Sequence, residues 1–100
     1  MAKEVILTPI AVKDFQNIID YLNYKWGTSV INNFVDRFEK VLALLSEEAS
    51  IFPFVDTVNQ IQKCVLTKHN TLFFKETEKE IKILAIFDTR QDPEKLSFIF

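Results

Sequence analysis

Apolar residues recur along this 100-residue chain with two periods, and the change from one to the other divides it. A short apolar run, Val5-Ile6-Leu7, reads as a strand, and Thr8-Pro9 then opens a helix. A threonine hydroxyl caps free backbone N–H groups, and proline loses nothing at the first helical position. Ala11, Phe15, Ile18, Ile19 and Leu22 follow at helical spacing, with Lys13, Asp14, Gln16, Asn17 and Asp20 between them. The chain's one glycine, in Trp26-Gly27, suits a helix end that needs a positive φ. Thr28 or Ser29 is placed to cap a second, longer helix, whose apolar stripe runs from Val30 and Ile31 through Phe34, Phe38 and Val41 to Leu45. Two amphipathic helices joined by a tight turn predict an antiparallel helical hairpin. Its second arm ends loosely between Ser46 and Ser50, where Glu47 and Glu48 oppose the helix dipole.

Past that point the period shortens to two. Ile51-Phe52-Pro53-Phe54-Val55 is an apolar connector interrupted by proline. Val58 to Thr67 alternates, with Ile61, Lys63 and Val65 on one face and Gln62, Cys64 and Leu66 on the other. Lys68-His69-Asn70 is a turn, Thr71 to Lys75 a strand, and Glu76 to Glu80 a second, solvated turn. Ile81 to Phe87 is the most apolar strand and is expected at the sheet's centre. It opens into the polar segment Asp88-Thr89-Arg90-Gln91-Asp92-Pro93, and the tail Ser97-Phe98-Ile99-Phe100 is apolar enough to pair as an edge strand. The order β-α-α-β-β-β predicts an α+β fold, a helical hairpin packed on a twisted antiparallel sheet, with residues 1–100 as a single domain.

Composition narrows the function classes. One glycine rules out phosphate-cradling loops, and one cysteine, Cys64, rules out an intrachain disulfide. Cys64 reads as an inert strand thiol, and with a solitary His69 it gives no metal-ligand spacing, so neither metal nor cofactor is expected. No apolar run has the length of a membrane span or the form of a signal peptide, which predicts a cytoplasmic protein. The formal charge of −2 gives no global pull on nucleic acid. Locally, Lys63, Lys68 and Lys75 fall in a stretch from Thr57 to Lys75 without an acidic residue. Metal-free RNA cleavage needs a base, an acid and cations; Lys63, Lys68, His69 and Arg90 are the residues here that could supply them together. Ordinary structural roles stay open for each: solvated lysines, an exposed turn histidine, and an Arg90 pair with Asp88 or Asp92. Phe73-Phe74 reads as core plus one outward ring.

Four stretches, taken in series, resemble the RelE/ParE superfamily of toxins from bacterial type II toxin–antitoxin systems. They are Val5 to Phe15, Ile19 to Gly27, Phe34-Val35-Asp36-Arg37-Phe38-Glu39, and above all Ile83 through Asp88-Thr89-Arg90-Gln91-Asp92-Pro93 to Leu96. The resemblance implies a small α+β toxin neutralised by a cognate antitoxin in a toxin–antitoxin hetero-oligomer. It also implies one of two targets: RelE-like members cleave mRNA on the ribosome, whereas ParE-like members inhibit DNA gyrase. Carried over without gaps, the RelE-type strand lysines fall at Gln62 and Cys64, the next arginine at Thr71 and the late tyrosine near Leu96. Only Arg90 matches, and both branches share it; a shift of one residue would bring in Lys63. The Trp26-Gly27 hairpin and the Arg90 to Pro93 turn look closer to the ParE branch. The resemblance thus favours a gyrase-binding toxin with Arg90, Asp88, Gln91, Lys68 and His69 as target contacts. A ribosome-dependent endonuclease using Lys63, Lys68 and Arg90 is the alternative, and a degenerate, non-toxic interaction module the third reading. These toxins are commonly basic and this chain is slightly acidic, which points to apolar burial in antitoxin binding.

Overall fold

The computed structural model describes residues 2–88. Strand β1 (Glu4–Leu7) leads into helices α1 (Pro9–Lys25) and α2 (Thr28–Glu48), a 3-10 turn at Ala49–Ile51, and strands β2 (Phe54–Asp56), β3 (Ile61–Thr67), β4 (Asn70–Glu76) and β5 (Glu80–Asp88). The sheet order is β1-β5-β4-β3-β2. Neighbours from β2 to β5 pair antiparallel, but β1 lies parallel to β5, with Glu4 opposite Glu80 and Leu7 opposite Ile83. The sheet is therefore mixed, where the sequence predicted an antiparallel one. The helical hairpin between β1 and the sheet supplies the long crossover that a parallel pair demands. Two further expectations change. The Phe54–Val55 part of the connector is an edge strand, possible beside Pro53 because an edge strand has one free side. The middle of the five strands is β4, with β5 beside it.

Both helices cover one face of the sheet. Ile18, Leu22, Phe34, Phe38, Val41 and Leu45 pack against Cys64, Leu66, Leu72, Phe74, Ile81, Ile83 and Ile86. Each fully buried aliphatic or aromatic side chain contributes about 1.5–3 kcal/mol, so this interface holds the fold together. Phe15 joins the helices to each other, its ring 4.8 Å from that of Phe38 and 5.8 Å from that of Phe34. The interhelix turn works through Gly27, at φ 96°, whose N–H donates to the Leu22 carbonyl. Gly27 itself, and neither Thr28 nor Ser29, occupies the N-cap of α2, which has no side-chain cap. A backbone at that φ fits glycine and strains any residue with a Cβ.

The long strand β5 outruns its neighbour β1, and side chains of α1 complete its bare edge. Thr8 Oγ1 accepts from the Ala11 N–H, capping the helix, and donates toward the Ile83 and Leu84 carbonyls. Six residues on, Asp14 Oδ2 accepts from the Ile86 N–H at 3.0 Å. The other end of β1 is clamped as well. Lys3 Nζ lies 2.8 Å from Glu76 Oε2, and Ser46 Oγ donates to the Lys3 carbonyl. The α1-side contacts hold β5 against the helix as far as Ile86.

Candidate functional site

Alternation assigns each strand side chain to a face of the sheet. Gln62, Cys64 and Leu66 point inward and are buried, whereas Lys63 and Val65 point to the face away from the helices. Gln62 is wholly structural. Its Nε2 donates to the Ala49 carbonyl at 2.9 Å and to the Phe52 carbonyl at 3.0 Å, pinning the 3-10 turn to the sheet. Burial pushes the Cys64 thiol up from its ordinary pKa, against the opposing pull of the Arg37 guanidinium. A thiol so held is neutral and inert at physiological pH. Arg37 itself donates from Nε to the Leu66 carbonyl, so this residue of the polar helix face ties α2 to β3.

The two positions matched to strand lysines thus lie in the core, and the one-residue shift that brings in Lys63 is the one that reaches the open face. There Lys63 stands opposite Phe73, and Lys75 opposite Lys82. Lys68 is exposed in the β3–β4 turn beside the half-buried His69. Positions 63 and 68 lie roughly 16 Å apart along a strand, at ~3.3 Å per residue. That is too far for both to sit on one phosphate. No group of His, Cys, Asp and Glu that could hold a metal occurs among the described residues.

Other predicted contacts do converge. Thr67 pairs with Asn70 across the β3–β4 turn, and Asn70 pairs with Asp88 across β4–β5, bringing Lys68, His69 and Asp88 to one end of the sheet. Asp88 is buried there, with 4 % of its surface exposed. Arg90 and Gln91 lie outside the described residues.

Beside this end, the tip of the helical hairpin leaves a cleft of about 360 Å³. Leu22, Trp26, Val30 and Phe34 make its apolar wall, and Thr67, His69 and Asn70 face them from the turn. Trp26 is 65 % exposed. Asn70 is buried: its Oδ1 accepts from the Thr67 hydroxyl at 2.7 Å, and that hydroxyl also accepts from the His69 N–H. Its Nδ2 has no partner among the described residues. A buried donor left so costs about 1–3 kcal/mol. Sequence reading passed over Trp26 and Asn70 as site residues, since one read as a helix end and the other as a turn. The available signal was a tryptophan at the solvent-facing tip of a helix, where a structural role gives it little to bury against.

The fold has close counterparts. A chain of the "chromosomal ParDE TA system from P. aeruginosa" superposes with a TM-score of 0.74 at 20% identity, over 89% of this chain and 98% of that one. The YoeB dimer from Staphylococcus aureus gives 0.63 at 11%, over 87% and 97%. The toxin–antitoxin complex DinJ–YafQ from E. coli gives 0.59 at 9%, over 88% and 93%. At such identities the likeness is one of fold. The sequence is more specific: residues 5–93 match the model of the family described as "ParE toxin of type II toxin-antitoxin system, parDE". The chain belongs to the ParE toxin family. It is accordingly a type II toxin of the ParE/RelE fold. No curated protein sequence matches it. No described helix is long and apolar enough to cross a membrane.

Proposed function

We propose that this ParE-family toxin acts by binding a protein target, DNA gyrase, without cutting RNA, and that a cognate antitoxin neutralises it in a hetero-oligomeric complex. The observation that carries this reading is the direction of β3. Gln62 and Cys64 turn into the core, and the exposed Lys63 stands far from Lys68. General acid–base cleavage requires its groups within about 3 Å of the reacting atoms, and the described face offers no such convergence. The match of residues 5–93 to the ParE family supports the same choice.

Two assays run on one preparation separate the targets. Purified gyrase should lose supercoiling activity when this protein is added in stoichiometric excess, while mRNA in a translating extract stays intact by primer extension. Uninhibited gyrase together with cuts at codon boundaries would replace the proposal with the ribosomal one. Induction in cells without the antitoxin should arrest growth, and vigorous growth would mark a non-toxic relative.

A further inference from the structure

We infer that the cleft between the hairpin tip and the β3–β4 turn is an anchor site for the antitoxin. It would take one large apolar side chain borne on an acidic segment, whose backbone carbonyl accepts from Asn70 Nδ2. This rests on the toxin–antitoxin reading above. Three independent observations meet there. The first is the buried donor: Asn70 has spent its oxygen on Thr67, and its Nδ2 has no partner among the described residues. An acceptor arriving in the cleft completes the amide. A peptide carbonyl is the acceptor that every segment of a protein partner carries.

The second is shape. About 360 Å³ lies within the usual range for small binding sites and accommodates one aromatic or branched side chain with its backbone. Buried Leu22 and Phe34 line the cleft together with Trp26, which has most of its surface in water. An exposed tryptophan beside a preformed pocket has the composition of an interface hot spot. The third is charge. Lys25 and Lys68 are exposed next to Trp26 and His69, and no Asp or Glu among the described residues lines the cleft. A rim of this sign draws an acidic segment and repels a basic one.

The test uses the complex of this chain with the protein encoded immediately beside it. Off-rates of the labelled neighbour are measured for wild-type toxin and for Trp26→Ala, Lys68→Glu and, as a control in a distant turn, Val58→Ala. Trp26→Ala should speed dissociation at least ten-fold. Lys68→Glu should weaken binding and flatten its salt dependence, and Val58→Ala should leave both unchanged. Because Trp26, Lys68 and Val58 are exposed, none of these variants should fail to fold. In ¹⁵N-labelled toxin, the Asn70 side-chain amide should shift and become protected from exchange when the neighbour binds. Wild-type off-rates for Trp26→Ala and Lys68→Glu, or an unmoved Asn70 amide, would overturn the assignment. So would a Trp26→Ala variant that holds the antitoxin normally yet no longer inhibits gyrase, since the cleft would then face the target. If the wild-type chain binds no neighbour at all, the toxin–antitoxin reading fails first and the cleft assignment falls with it.

Discussion

Replacing Gln62 by leucine tests the strand register on which the functional reading depends. The substitution removes both donations from Nε2, to the Ala49 and Phe52 carbonyls, and leaves those acceptors facing a hydrocarbon. Two lost hydrogen bonds and a partly unsatisfied carbonyl come to about 2–4 kcal/mol. That is a large share of the 5–15 kcal/mol typical of a domain's whole stability. At about 4–8 °C per kcal/mol for a chain of this size, Tm should fall by roughly 10–25 °C. The comparison is Lys63→Leu, one residue along but on the open face, which should stay within about 0.5 kcal/mol of wild type. Thermal melts followed by circular dichroism suffice. Equal losses for the two variants, or a larger loss at Lys63, would mean that β3 sits one residue out of the described register. Lys63 would then lie in the core and the position matched to a catalytic lysine on the surface. Gln62→Glu adds a signed pH test. A carboxylate facing two carbonyl oxygens has its folded-state pKa raised above the ordinary ~4.3. The unfolded chain therefore releases the proton first, so the destabilisation should grow as pH rises above ~4.3 and fade below it.

Other perturbations probe other links. Asn59 donates to Asp56 from both side chain and backbone and holds its carboxyl below the ordinary value. In an NMR titration Asn59→Ala should move the Asp56 midpoint upward, and an unchanged midpoint would remove the cause assigned to it. Cys64 should react with a thiol reagent only slowly at pH 8 in the native state and fast in denaturant. With its folded pKa raised by burial, the contribution of Cys64 to stability should be full below the unfolded thiol value and decline as pH climbs past it. Gly27→Ala adds a Cβ that meets nothing within 4 Å, so its cost should be the backbone strain alone, about 1–2 kcal/mol in a denaturant melt. A neutral result would show that the turn relaxes to another φ.

The helical hairpin was legible because its signal is local. Fifteen or more residues at one period define each helix, and a lone glycine marks the bend. The strands were legible as strands, yet their partners were not. A four-residue run such as Glu4–Leu7 says nothing about which distant segment it pairs with, so the parallel β1–β5 contact stayed hidden. The inward direction of Gln62 was readable in principle, because it shares a face with Cys64 and Leu66. Reading it means trusting the neighbours on that face over the residue's own polarity. Trp26, His69 and Asn70 became one site only through tertiary contact, since the hairpin tip and the β3–β4 turn are far apart in sequence. The burial of Asp88 depends on the β4–β5 pairing, which polarity alone does not show.

The pairing of β1 with β5 sets a timetable for synthesis. Thr8 finds its carbonyl partner at Ile83, 75 residues later, which at about 5–20 residues per second is a delay of roughly 4–15 s. Until β5 leaves the ribosome, β1 has no ladder and α1 has no sheet to cover. The nascent chain thus spends most of its synthesis without the sheet end that β4 and β5 build together. Whatever harm the finished protein does begins only after β5 is made.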